Sequence, residues 1–172
     1  MKNLLKKEFV FFLFIWIIFC SLCPLFSEAE KKGLKLIRSG EALLKQTAYE
    51  KALEKFEEAR DYIYTETNRL RLFKNFSRVY YVQGNVEESK KYIMKVLEIE
   101  PNARLSREAA PGFRVRFLDI RNRLKKLISE VRSLIKRELF AEARKMLEQA
   151  EEFKDLKQVR DLKNDIKQAE RK

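Results

Sequence analysis

Residues 73–102 read FKNFSRVYYVQGNVEESKKYIMKVLEIEPN, and this stretch decides the fold. Bulky apolar residues recur three and four apart through Phe73, Phe76 and Tyr80, and again at helical spacing through Val86, Ile93 and Val96. That spacing aligns them on one face of an α-helix. Between the two runs, Gly84 supplies a helix stop. Asn85 follows as a cap, with Glu88 three residues on as its capping-box partner. Pro101 closes the second run, because it cannot continue a helix. The stretch predicts two helices folded back on one another about a turn at 84–85.

Working outward, the same spacing predicts helices near 30–46, 49–63, 66–83, 86–99, 112–137, 139–152 and 155–170. Asp155 with Gln158 reads as another cap. No stretch alternates strictly enough to argue for a strand. Composition agrees, since the chain of 172 residues has only four Gly and three Pro and 37% of it is charged. Ala, Leu, Glu, Lys and Arg lose little side-chain freedom on a helix. Hydrophobic residues make up 45%, enough to build a core and to argue against disorder.

The helices fall into pairs, and the pairs repeat. Tyr49-Ala52-Phe56-Ala59, Val86-Ser89-Ile93-Val96 and Phe140-Ala143-Leu147-Ala150 share one pattern of bulky and small residues. The preceding helices carry matching stripes: Leu36, Ser39, Gly40 and Leu43; then Phe73, Phe76, Ser77 and Tyr80; then Leu127, Glu130, Val131 and Leu134. Small residues let backbones approach and aromatic residues fill the gaps between neighbours. One such pair cannot bury its apolar face alone, so neighbours must stack.

With these units in view, the sequence resembles the tetratricopeptide repeat family. The unit at 66–101 is the best match, with its turn glycine Gly84 and closing Pro101. The unit at about 34–64 keeps Gly40, Ala52 and Ala59 but lacks the closing proline. The unit at 112–155 keeps Ala143 and Ala150 but lacks both turn glycine and closing proline. Ala52, Ser89 and Ala143 are 37 and 54 residues apart, where the family expects about 34. The longer gap holds a basic linker at 102–111. The resemblance implies an all-α solenoid of helix hairpins over 30–172, ended by a capping helix at 155–170.

The first residues, MKNLLKKEFVFFLFIWIIFCSLCPLFSEAE, have a different character. Lys2, Lys6 and Lys7 precede an unbroken apolar run of twelve residues, Phe9 to Cys20. Small residues at Ser27 and Ala29 sit three and one before Glu30. This order predicts a secretory signal peptide at 1–29, cleaved before Glu30. Phe9 to Phe26 is also about the minimum length to span a bilayer, so an uncleaved anchor is the alternative. Phe19 and Leu22, which precede Cys20 and Cys23, fit lipid attachment poorly. The expected setting is the bacterial periplasm or the outer face of the inner membrane.

The missing residues limit the chemistry. The chain has no His, and both Cys lie in the N-terminal apolar stretch. That argues against His-dependent triads, Cys nucleophiles and thiolate zinc sites. No glycine-rich phosphate loop is present. The sequence therefore predicts a nonenzymatic protein with no catalytic, cofactor-binding or metal-binding residues.

Charge points to partners instead. Residues 102–137 carry eleven Lys and Arg against three Asp and Glu, whereas residues 138–172 balance at nine each. In the repeat family the first helix of each pair lines a concave surface. Carried over, that places Arg71, Lys74, Arg78 and Tyr81, and then Lys125, Arg132 and Lys136, in a candidate groove for an acidic protein or peptide. The expected role is a noncatalytic adaptor or scaffold. The alternative is a membrane-associated structural subunit whose basic helix contacts anionic lipid. Nucleic acid conflicts with export, and no recognised binding motif is present. The Asn75-Phe76-Ser77 sequon lies inside a predicted helix, where glycosylation is not expected.

Overall fold

The computed structural model describes residues 27–171. The apolar N-terminal run, its cysteines and most of the expected targeting segment lie outside the described residues. Among the described residues the regular structure is entirely helical. Residues 27–45 form α1; then come α2 (Tyr49–Arg60), α3 (Glu66–Val82), α4 (Val86–Ile99), α5 (Pro111–Lys136), α6 (Phe140–Gln149), a 3-10 turn at Glu151–Phe153, and α7 (Lys157–Ala169). None of the described helices is long and apolar enough to cross a membrane.

The chain divides after Arg69 into two compact units. In the first, α1 and α2 pack as a hairpin. Its buried seam on α1 runs through Gly33, Ile37, Gly40 and Leu44, offset from the stripe expected at Leu36, Ser39, Gly40 and Leu43. Gly40 is common to both, and its role is close approach: a Cβ there would stand 2.5 Å from the Phe56 ring. Ala52, Phe56 and Ala59 are fully buried against that seam. Glu30 closes the unit by accepting hydrogen bonds from the Tyr64 backbone amide (2.8 Å), the Thr65 hydroxyl (2.7 Å) and the Asn68 side-chain amide (2.6 Å). Its carboxylate thus ties α1 to the residues that lead into α3, and its negative charge lies at the positive end of that helix. Desolvation pushes the Glu30 pKa up, but the hydrogen bonds from Asn68, Thr65 and the Tyr64 and Thr65 amides outweigh it and hold it below its ordinary value.

In the second unit, α3 and α4 form the hairpin anticipated at 73–102. Asn85 accepts the Glu88 amide at 3.3 Å, so the expected cap is present. The small pair of the repeat pattern meets directly: the buried Ser89 hydroxyl donates to the Ser77 carbonyl at 2.9 Å. Beside it Phe76, Tyr80 and Tyr92 stack, with Phe76 and Tyr92 centroids 4.5 Å apart. The burial of Ser77 places the Asn75 sequon on a packed helix. Residues from α4, α5, α6 and α7 share one apolar cluster. α5 is its spine: Phe113, Phe117, Ile120, Leu124, Leu127 and Val131 are all buried, at alternating spacings of four and three residues. That seam is the pattern of a helix packed along its length.

Two expectations need correction here. Asp155 does not cap α7, whose N-cap is Leu156 with no side-chain bond. Gln158 instead donates to the Leu97 and Glu98 carbonyls at 3.0 and 3.2 Å, tying the start of α7 to the end of α4. Glu130, placed on the inner stripe of α5 from sequence, is exposed and faces Lys126.

Candidate functional site

The features that distinguish α5 begin with its seam. Pro111 starts the helix at a position where its missing amide costs nothing. The residues that directly follow seam positions form the flank of that helix: Arg114, Leu118, Arg121, Lys125, Ile128 and Arg132. Lys136 continues the row four residues on. Helical spacing stacks these side chains in one stripe, from Arg114 to Lys136 a length of about 33 Å.

Two clefts open along this stripe. The first, about 640 Å³, lies between α5 and the segment after α4, with Asn102, Arg104 and Leu105 on one side and Arg114, Leu118 and Lys125 on the other. Phe117 and Arg121 complete its lining. The second, about 610 Å³, is lined by Ile128, Ser129, Arg132 and Lys136 of α5 and by Gln158 of α7. Asn102 and Lys125 border both clefts, so the two are adjacent parts of one trough. The segment at 101–110 is held in place by the buried Ala103 and Ala109 and by Arg121, whose guanidinium donates to the Ala103 carbonyl at 3.1 Å.

Charge compensation varies along α5: Arg123 and Lys126 have carboxylate partners, whereas the stripe cations, and Arg116 on the other side, have none within 4.0 Å among the described residues. The helix has two acidic residues, and both are engaged on its other side: Asp119 with Arg123 at 3.1 Å and Glu130 with Lys126 at 3.8 Å. Elsewhere in the unit Lys90 and Arg123 share Glu152 at 2.9 and 2.6 Å, and Arg160 reaches Glu98 at 3.6 Å. By contrast Arg104, Arg114, Arg121, Lys125, Arg132 and Lys136 have no carboxylate within 4.0 Å among the described residues. Arg121 with Lys125, and Arg132 with Lys136, are like charges four apart, each pair costing the helix a few tenths of a kcal/mol.

The residues expected from sequence divide into two groups. Lys125, Arg132 and Lys136 are exposed and line one cleft. Arg71, Lys74, Arg78 and Tyr81 lie on α3 and border neither cleft. Lys74 pairs with Glu100 at 3.7 Å. Tyr81 is a packing residue: its ring meets Phe113 at 5.3 Å and its hydroxyl fills the space a Cβ at Gly112 would need. Arg104, Arg114 and Arg121 were not singled out from sequence. Their signal was available in principle, because Arg114 and Arg121 each follow a seam residue. Among the described residues no cluster of three or more His, Cys, Asp or Glu could hold a metal.

No family model, no curated protein and no solved structure matches the chain.

Proposed function

We propose that this chain is a noncatalytic binding protein of the cell envelope, built on tetratricopeptide-like hairpins, whose ligand is an acidic segment of another protein. The observation that carries the reading is the row of uncompensated cations along α5. A surface that keeps like charges aligned without partners gains most from an anionic ligand, through both attraction and relief of repulsion. The repeat reading is supported by three hairpin turns of one geometry: the third turn residue is Thr47, Gly84 or Glu138, each with positive φ. In each turn the following amide bonds back to a carbonyl five residues earlier, Leu43, Tyr80 or Leu134. The envelope setting rests on the N-terminal sequence alone.

A second reading has its own observation. Val115 is 68% exposed and Leu118 42%, both at the basic start of α5. Apolar side chains beside cations suit the interface of an anionic bilayer.

The two readings respond differently to charge reversal. Lys125→Glu and Arg132→Glu, with Arg107→Glu and Lys126→Glu as controls, are measured against a polyglutamate peptide and against phosphatidylglycerol vesicles at fixed salt. Loss of peptide binding confined to Lys125 and Arg132 supports the adaptor. Modest, equal losses at all four positions on vesicles, with no peptide binding by the unaltered chain, would favour the lipid reading.

A further inference from the structure

The flank of α5 is not uniformly basic. In order it reads Arg114, Leu118, Arg121, Lys125, Ile128, Arg132: basic, apolar, basic, basic, apolar, basic. Each cleft receives one of the two apolar residues, Leu118 in the first and Ile128 in the second. In the first cleft Leu118 is joined by Leu105 from the segment opposite and by Phe117. Leu105 and Ile128 are half-buried against the apolar cluster, and each still lends part of its surface to a cleft. Leu118, 42% exposed, keeps its apolar surface in contact with water. Leaving a large apolar side chain in water forfeits stabilisation that its burial would supply.

We infer that the trough takes an acidic peptide segment bearing two bulky apolar side chains about 15 Å apart, the rise over the ten residues from Leu118 to Ile128. One side chain seats on Leu118 and Leu105, and the other on Ile128. The carboxylates around them meet Arg114, Arg121, Lys125 and Arg132. Arg121 is in addition a positioning residue, since it holds the Ala103 carbonyl that fixes the opposite wall. The inference rests on the acidic-partner reading and adds to it a spacing and a class of anchor. Charge complementarity chooses the sign of the ligand. The concave shape favours inserted side chains over a flat bilayer, and a free inorganic anion has nothing to place on Leu118 or Ile128.

The test uses the full chain and labelled peptides of equal negative charge. One carries two Phe spaced to lie about 15 Å apart in an extended strand, one carries a single Phe, and one has Ala at both places. Fluorescence anisotropy gives each affinity, and anionic vesicles form a separate arm. Each Phe is expected to tighten binding about tenfold, the worth of burying much of a large apolar side chain. Leu118→Ser is expected to abolish one of those steps while the far-UV circular dichroism stays unchanged, because this side chain already meets solvent. Equal affinity for all three peptides overturns the anchors and leaves the acidic-partner reading standing, as would an intact pair of steps in Leu118→Ser. Failure of every peptide to bind, at low salt as well, overturns both. Binding to vesicles alone assigns the exposed apolar residues to lipid and overturns the inference.

Discussion

Thr47, Gly84 and Glu138 occupy equivalent places in three hairpin turns, with φ of 59°, 75° and 59°. Only glycine takes this left-handed conformation without steric cost, which is about 1–2 kcal/mol for other residues. Gly84 was legible in the sequence for that reason, whereas nothing in a threonine or a glutamate announces positive φ. The shared hydrogen bonds, Ala48 to Leu43, Asn85 to Tyr80 and Leu139 to Leu134, all near 3.0 Å, identify the three as one motif. Glu138→Gly is expected to raise stability by about 0.5–1 kcal/mol, after allowing for the added freedom of the unfolded chain. Gly84→Ala, with open space around its Cβ position, should lower it by a similar amount through φ alone. Thermal melts of both variants check the pair. A second residue-scale outcome concerns Glu30. Its pKa is lowered in the folded chain from an ordinary value of 4.5. The carboxylate therefore stabilises fully above that value, and the contribution is lost as pH falls through the folded pKa. Glu30→Gln should cost about 1 kcal/mol at neutral pH, as weakening exposed charge-assisted hydrogen bonds does. The gap between variant and parent should narrow in denaturation curves taken below pH 4.5.

At the scale of the element, helix positions came from periodicity with little error, because the apolar spacing is strong and long. α5 was expected at 112–137 and stands at Pro111–Lys136. What periodicity did not deliver was which side of α5 carries function. Analogy to the repeat family puts the candidate groove on outward positions of two helices and so gathers Arg71, Lys74, Arg78 and Tyr81 from α3. The clefts arise instead where α5 meets the irregular segment at 101–110 and the start of α7, a contact that no local pattern encodes. Gln158 shows the same limit: its sequence context suggested a cap, and tertiary packing turned it toward the last carbonyls of α4. The like-charge pairs on the stripe give a further outcome. Lys125→Glu replaces repulsion from Arg121 with attraction, so its melting temperature should equal or exceed the parent's. Binding to an acidic peptide should nevertheless fall at least tenfold. A variant that is both less stable and unchanged in binding would show that this row is an ordinary solvated face.

For the molecule as a whole, the three hairpins are separated by unequal spacings, with turn residues 37 and then 54 positions apart. The extra length goes into α5 and the segment before it, the part of the chain that carries the uncompensated cations. If export processing occurs before Glu30, as the N-terminal sequence predicts, the first residue of the mature chain is the one that ties α1 to the start of α3. N-terminal peptide mapping of the protein from its native host should then find Glu30 at the start. A last consequence comes from the segment at 101–110. It is anchored at the buried Ala103 and Ala109, and the arch between them exposes Arg104 and Arg107. An arch this short cannot enter a protease while both anchors hold, so trypsin cleavage there measures how often the anchors let go. A ligand in the trough would bridge the arch to α5 and slow the cut. Nicked protein should still elute as one particle, because α4 on one side of the cut and α5 to α7 on the other share a single apolar cluster. The rate of cleavage within the arch thus serves as a clock for occupancy, readable before any partner has been identified.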